Sequence, residues 1–270
     1  MILNFITWNV DPEMFHFWGF SLRWYGVLFA TSFVLGYFIM RQIFKQEDVP
    51  LQLLDRLSWY MIFGTIIGAR LGHCLFYEPD YFLKNPAETV QIWHGGLASH
   101  GAAIGILVAL YIFSRVERLP YLWILDRMSI IVALSGFLIR TGNLMNSEIF
   151  GHPTVLPWGF AFVRSSEWYL SPVFSQPCHP TQIYEALAYL AVFVWLFRKY
   201  YYKDEKPYPG ILFGAFLISL FTARFFIEFI KENQVDFEKG MMLNMGQLLS
   251  IPFIIWGIFL LTKKKMMMND

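Results

Sequence analysis

Residues 121–151 read YLWILDRMSIIVALSGFLIRTGNLMNSEIFG, and the change of character along them decides the fold and where to look for function. The first part, about 121–139, is apolar over roughly the 20 residues a helix needs to cross a bilayer. The second part, 136–151, gathers Arg140, Asn143, Asn146 and Glu148 among Gly136, Gly142 and Gly151. Polar groups are costly against lipid, so a cluster of them closing a spanning helix marks a functional site by default. Arg140 offers a planar fork of donors suited to phosphate or carboxylate. Glycines let backbone bend or approach a neighbour closely. A polar turn ending a helix is the plainer reading, and four polar side chains within nine positions weigh against it.

Outward from this segment the chain stays apolar. Hydrophobic residues make up 56% of the 270 and charged ones only 15%, a balance suited to lipid rather than to water. A net charge of +1 gives no case for a nucleic-acid partner. Six further stretches are long and apolar enough to span, about 19–40, 57–77, 95–114, 181–198, 209–230 and 244–262. Charged or turn-rich breaks such as KQEDVP (45–50) and RVERLP (115–120) separate them. The expectation is an all-α polytopic membrane protein, one transmembrane domain over 1–270 with seven transmembrane helices. Between helices 4 and 5 lies a connector, 140–180, too polar to span. The opening MILNFITWNVDPEMF has no positive charge before its apolar part and does not read as a secretory signal peptide. Cys74 and Cys178 give no metal framework.

Positive charge sets the orientation. Thirteen Lys and Arg, among them Arg41, Arg56, Arg115, Arg127, Lys203, Lys206 and Lys263, flank the first, third and fifth loops and the tail. Five, including Lys84, Arg164 and Lys239, fall on the other side. The N-terminus and the 140–180 head segment are therefore expected outside, in the periplasm, and the C-terminus in the cytoplasm. At 1.5 Å per residue, Tyr25, His100, Arg140 and Arg224 then share the outer third of the membrane.

Each has a structural alternative. Tyr25, in RWYG (23–26), also suits an interfacial aromatic belt. His100 lies in HGGLASHGAAIG (94–105), whose small residues permit tight helix packing. His94 and His100, six apart, point about 240° from each other on a helix, which argues against a metal pair. Arg224 and Glu228 in FTARFFIEF (221–229) form an i, i+4 pair that either ties the helix or holds the Arg for an anion. Arg70, in GTIIGARLGHCLFY (64–77), suits structural support or headgroup contact. In HPTQIYEA (179–186), Pro180 fits a first helical turn, and Gln182 and Glu185 share a face. Cys178 beside His179 lacks any evident orienting group for thiol catalysis.

The run Gly136, Arg140, Gly142, Asn143, Asn146, Glu148, Gly151 resembles the signature of the bacterial phosphatidylglycerol–prolipoprotein diacylglyceryl transferases. The similarity continues through RWYG, GARLG (68–72), HGGLASHG (94–101), LPWGFAF (156–162), HPTQIYE (179–185) and RFFIEF (224–229). It implies a multi-pass enzyme of the bacterial inner membrane. Such an enzyme moves the diacylglyceryl group of phosphatidylglycerol onto the lipobox cysteine thiol of a prolipoprotein signal peptide and releases glycerol 1-phosphate. It works among membrane lipids with no metal or other cofactor. The family's essential residues match at Tyr25, His100, Arg140, Asn143, Gly151 and Arg224, with Glu148 and Glu228. One position departs: Leu220 stands where some members carry an aromatic hydroxyl, a turn before the second arginine.

The expected chemistry follows. A thiol of ordinary pKa near 8.5 holds little thiolate at neutral pH, so His100 is expected to take its proton, or alternatively to hold the phosphate. Arg140 and Arg224 would stabilise the leaving phosphate, with Tyr25 orienting headgroup or thiol. Asn143, Asn146, Glu148, Gly151, Glu228, Arg70, His179 and Gln182 complete the expected substrate-binding set. An anion transporter would carry polar residues at all depths, and the inner half of these spans is nearly free of them. An intramembrane protease would need paired Asp, Ser with Lys or His, or HExxH on a span, and none occurs.

Overall fold

Each of the seven apolar stretches contains one long helix: α1 (Trp24–Gln46), α2 (Leu51–Phe76), α4 (Ser99–Val116), α5 (Tyr121–Met145), α6 (Thr181–Tyr201), α7 (Ile211–Ile227) and α8 (Met245–Met267). A short α3 (Pro79–Lys84) follows α2, and 3-10 turns occupy Pro86–Val90 and Glu228–Ile230. This computed structural model describes residues 5–92, 95–165, 176–202, 208–232 and 241–267. His94, Lys203, Lys206 and Lys239 lie outside the described residues.

Among the described residues, five helical segments are long and apolar enough to cross a membrane: Trp24–Gln46, Ser99–Val116, Tyr121–Met145, Ile211–Ile230 and Met245–Lys263. The chain is a mostly helical, multi-pass membrane protein. Helices α2 and α6 match these in length but are less apolar, interrupted by polar residues such as Arg70 and His73 on one and Gln182 and Glu185 on the other. Local sequence sets the ends. Asp48 and Arg118 take positive φ (56° each) just after α1 and α4, and Gly210, at φ 94°, precedes α7. The first helix begins later than residue 19. Residues 13–23 instead form a hairpin of β2 (Glu13–Phe17) and β3 (Phe20–Arg23). Its turn residues Trp18 and Gly19 both have positive φ (48° and 81°), the geometry that matches strand twist in a two-residue loop.

Contacts divide the chain into two compact units, Met1–Gly36 with Met128–Asp270, and Tyr37–Arg127, with both boundaries falling inside long helices. In the second unit α2 and α4 meet along a glycine seam. A Cβ added at Gly68 would lie 2.7 Å from Gly105 Cα, and one at Gly72 would lie 2.6 Å from Gly101 Cα. The small residues of 98–105 thus have GTIIGARLG (64–72) as their partner, backbone against backbone. Arg127 in this unit sets Nη2 2.8 Å and 2.9 Å from the two carboxylate oxygens of Glu47.

In the first unit, β1 (Ile6–Trp8) pairs in parallel with β4 (Phe160–Phe162). The two strands cover a small apolar core of Leu144, Phe150, Phe160, Phe162 and Cys178, with Trp8 and Ile183 packed against it. Trp8 Nε1 donates to the Leu144 carbonyl at 3.0 Å, which ties the chain's beginning to the end of α5. Helices α7 and α8 pack through Gly214 and Gly257, where an added Cβ would lie 3.0 Å and 2.7 Å, respectively, from the other's carbonyl oxygen. The Trp8 bond and the small core fix the end of α5, where the polar cluster sits.

Candidate active site

The last turns of α5 carry Arg140 and Asn143, and the chain then turns sharply through Asn146–Gly151. Arg140 reaches across to α6, where its Nε lies 2.9 Å from Glu185 Oε2. Its Nη1 donates to Asn143 Oδ1 at 3.2 Å, and its guanidinium also hydrogen-bonds the Tyr189 hydroxyl. Asn143 passes the connection on, donating from Nδ2 to Glu148 Oε1 at 2.7 Å. Asn146 Nδ2 donates to the same oxygen at 3.2 Å. Glu148 is therefore held by two amides, and the carboxylate set directly on Arg140 is Glu185.

The backbone of this turn is strained and is held by its surroundings. Ser147 and Ile149 have φ of 54° and 60°, a region that a β-branched residue enters only when its surroundings impose it. The N-terminus of α6 imposes it here. Thr181 Oγ1 donates to the Ile149 carbonyl at 3.0 Å and Gln182 Nε2 to the Glu148 carbonyl at 2.7 Å. Gly151 N donates to the His179 carbonyl at 2.9 Å, and His152 N to the Ile230 carbonyl at 3.0 Å.

Close approach explains the three glycines of the motif. A Cβ at Gly136 would lie 2.8 Å from the Tyr189 ring, and one at Gly142 would lie 2.8 Å from the Tyr25 ring. At Gly151 a Cβ would collide with the Ile230 carbonyl. Tyr25 and Tyr189 are thus seated on α5 on either side of Arg140.

Arg224, on α7, approaches the same cluster. Its Nε is 4.0 Å from Glu228 Oε2, and both arginines lie within electrostatic reach of Tyr189 and Lys231. The Glu228 carboxylate rests against Gly246, where an added Cβ would lie 2.5 Å away. Lys231 Nζ stands 3.5 Å from Glu185 Oε1 and 3.6 Å from Glu228 Oε2. Asn146 Oδ1, Ser147 Oγ, Gln182 Oε1 and Arg224 Nε are buried and have no hydrogen-bond partner among the described residues. Buried polar atoms are nearly always paired, so such a group marks a place where ligand or solvent completes the bonding. Among the described residues, no cluster of three or more His, Cys, Asp or Glu is placed to hold a metal ion.

The structure thus brings Tyr25, Arg140, Asn143, Asn146, Glu148, Gly151, Gln182, Arg224 and Glu228 into one neighbourhood. His179 serves that neighbourhood mainly through its backbone, while its Nδ1 faces the Tyr184 hydroxyl at 3.3 Å. His100 and Arg70 belong to the other unit. His100 is the second residue of α4 and is exposed. Arg70 donates to the carbonyls of Glu88, Thr89, Gly95 and Gly96 at 2.6–3.2 Å and lies over the Phe82 ring. Of the two roles its sequence suggests, the geometry supports the structural one. Tyr189 and Lys231 do not stand out as site residues in the sequence, and Glu185 is marked there only by sharing a face with Gln182. Glu185 and Tyr189, four apart on α6, and Arg224, Glu228 and Lys231, spaced four and three, form polar stripes that could have revealed them.

Comparison with known proteins bears on what this arrangement does. A model of the prolipoprotein diacylglyceryl transferase family matches residues 12–263. A Porphyromonas gingivalis protein named phosphatidylglycerol–prolipoprotein diacylglyceryl transferase is 48% identical, over 96% of this chain and 94% of its own. Proteins of the same name from Chloroherpeton thalassium and Bacteroides fragilis are 46% and 40% identical, each over 96% of this chain and 94% and 95% of their own.

Proposed function

The chain belongs to the prolipoprotein diacylglyceryl transferase family, and from that premise we propose how its residues carry out the transfer. The enzyme moves the diacylglyceryl group of phosphatidylglycerol to a prolipoprotein, the first step of lipoprotein lipid modification. The acceptor is the lipobox cysteine of the signal peptide. Its sulfur attacks the glyceryl carbon bonded to phosphate, a C–S bond forms as the C–O bond breaks, and glycerol 1-phosphate leaves with the electron pair. The thiol proton passes to His100; general-base help of this kind is typically worth about 10²–10⁴-fold.

Arg140 and Arg224 hold the phosphate, where developing charge is stabilised more strongly than in water. Glu185 and Glu228 orient the two guanidiniums. Asn143 links Arg140 to Glu148, and the unpartnered Asn146 Oδ1 and Gln182 Oε1 accept hydrogen bonds from the glycerol headgroup. Tyr25 orients headgroup or thiol. All seven long helices cross the inner membrane as one transferase domain, with N-terminus and 140–180 head in the periplasm and C-terminus in the cytoplasm. Both acyl chains stay in lipid throughout, so lipid and signal peptide enter sideways between helices.

The observation that most supports this reading is the convergence of two arginines from α5 and α7 on Tyr189 and the Glu185–Lys231–Glu228 group. The test is incubation of purified protein with labelled phosphatidylglycerol and a lipobox peptide. A thioether-linked product, absent when the peptide cysteine is replaced by serine, is expected. Absence of product with active controls refutes the assignment.

A further inference from the structure

Lys231 has no part in bond making or breaking, yet it is enclosed among the site's charges with 2% of its surface exposed. Its Nζ lies 3.5 Å from Glu185 Oε1 and 3.6 Å from Glu228 Oε2. Those carboxylates face Arg140 at 2.9 Å and Arg224 at 4.0 Å. The five side chains form one alternating row, Arg140–Glu185–Lys231–Glu228–Arg224, drawn from α5, α6, α7 and the turn after it. The Lys231 backbone is fixed as well, bridged to Gly151 of the signature turn.

Burying an ammonium is expensive, and apolar packing of the same volume often holds a fold equally well or better. What lysine supplies and an apolar residue cannot is a third positive charge. With it the row sums to +1; without it the two carboxylates cancel the two arginines. We propose that Lys231 is a positioning residue for the phosphate site: it occupies Glu185 and Glu228, so that Arg140 and Arg224 keep a net attraction for the lipid phosphate and stay at a fixed spacing. This rests on the transferase reading above. The phosphodiester of the substrate carries one negative charge, and the glycerol phosphate that leaves gains a second as the C–O bond breaks. The field of Lys231 therefore acts more on the transition state than on the bound lipid.

The test compares Lys231→Met, Lys231→Arg and the double variant Lys231→Met with Glu185→Gln in the thioether assay, normalised to folded protein. The expected result for Lys231→Met is a fall in kcat of the folded fraction of about tenfold or more with a much smaller change in KM. Lys231→Arg keeps the charge and is expected to retain most of the rate. The double variant restores the sum of +1 and is expected to recover several-fold over Lys231→Met. Wild-type kcat in Lys231→Met overturns the inference. So does a loss that tracks a lowered melting temperature and is not recovered in the double variant, which would make Lys231 a purely structural tie. A wild-type protein that forms no thioether product fails the underlying reading instead, before any variant is compared.

Discussion

Arg140→Lys keeps the positive charge and removes the fork, so it separates charge from geometry. In the structure, the guanidinium hydrogen-bonds Asn143 and Tyr189 and sets Nε 2.9 Å from Glu185 Oε2, and its fork keeps further N–H groups for a phosphate. A lysine ammonium has three N–H groups on a single nitrogen. If it stays on Glu185 it cannot also reach Asn143 and present a two-pronged contact to an anion. At least one charge-assisted hydrogen bond to the phosphate is lost, worth about 1.5–3 kcal/mol. At 1.36 kcal/mol per decade that is roughly a 10- to 100-fold fall in kcat/KM. Folding should change little, because the ion pair with Glu185 can persist. The assay is thioether formation from phosphatidylglycerol and a lipobox peptide, with the melting temperature followed in parallel. A value of kcat/KM within about twofold of wild type would refute the bidentate clamp.

His100→Gln should lower kcat while phosphatidylglycerol binding persists, with part of the rate regained at high pH, where the thiol ionises unaided; a pH-independent loss would make His100 a positioning group. Gly142→Ala places a methyl 2.8 Å from the Tyr25 ring, so overpacking of about 1–3 kcal/mol should lower the melting temperature and activity together. An unshifted melting temperature would contradict that contact. Arg70→Ala removes the donors to four carbonyls, so folded yield should drop while the specific activity of the folded fraction holds; the reverse pattern would bring Arg70 into the site. The His179 imidazole is held below its ordinary value near 6.5, first by burial and then by His152. The folded chain then binds fewer protons than the unfolded one, so stability is full above about pH 6.5 and declines as pH falls below it. His179→Gln should flatten that slope in a melting series from pH 8 to 5, and an unchanged slope would show the imidazole is not its source.

Much of this site was legible because lipid makes polar residues conspicuous. Arg140, Asn143, Asn146 and Glu148 stand out at the end of an apolar run, and Arg224 with Glu228 stands out in FTARFFIEF. Their pairing was not legible. Glu148 is the acid nearest Arg140 in sequence, but the turn at Ser147–Ile149 carries it onto two asparagine amides, and the ion pair goes to Glu185 on another helix. Lys231 was hidden for a related reason: a lysine just past a helix end reads as a solvated flank, whereas the chain closing on Gly151 encloses it. Tyr189 looks like one aromatic among many until Gly136 gives its ring a seat beside Arg140. The hairpin before α1 is hidden because its aromatic residues raise hydropathy as much as a span would, with only the Trp18–Gly19 turn to mark it.

Two guanidiniums gripping one lipid phosphate is the claim the rest depends on, and an interatomic distance tests it most directly. Phosphatidylglycerol bound to protein with ¹⁵N-labelled arginine can be measured by solid-state NMR for phosphorus-to-guanidinium separation, with Arg140→Lys and Arg224→Lys assigning the signals. Both side chains should lie in direct contact with the same phosphate, at hydrogen-bonding nitrogen-to-oxygen distances of about 2.7–2.9 Å. A phosphorus close to only one of them, or to neither, would contradict it.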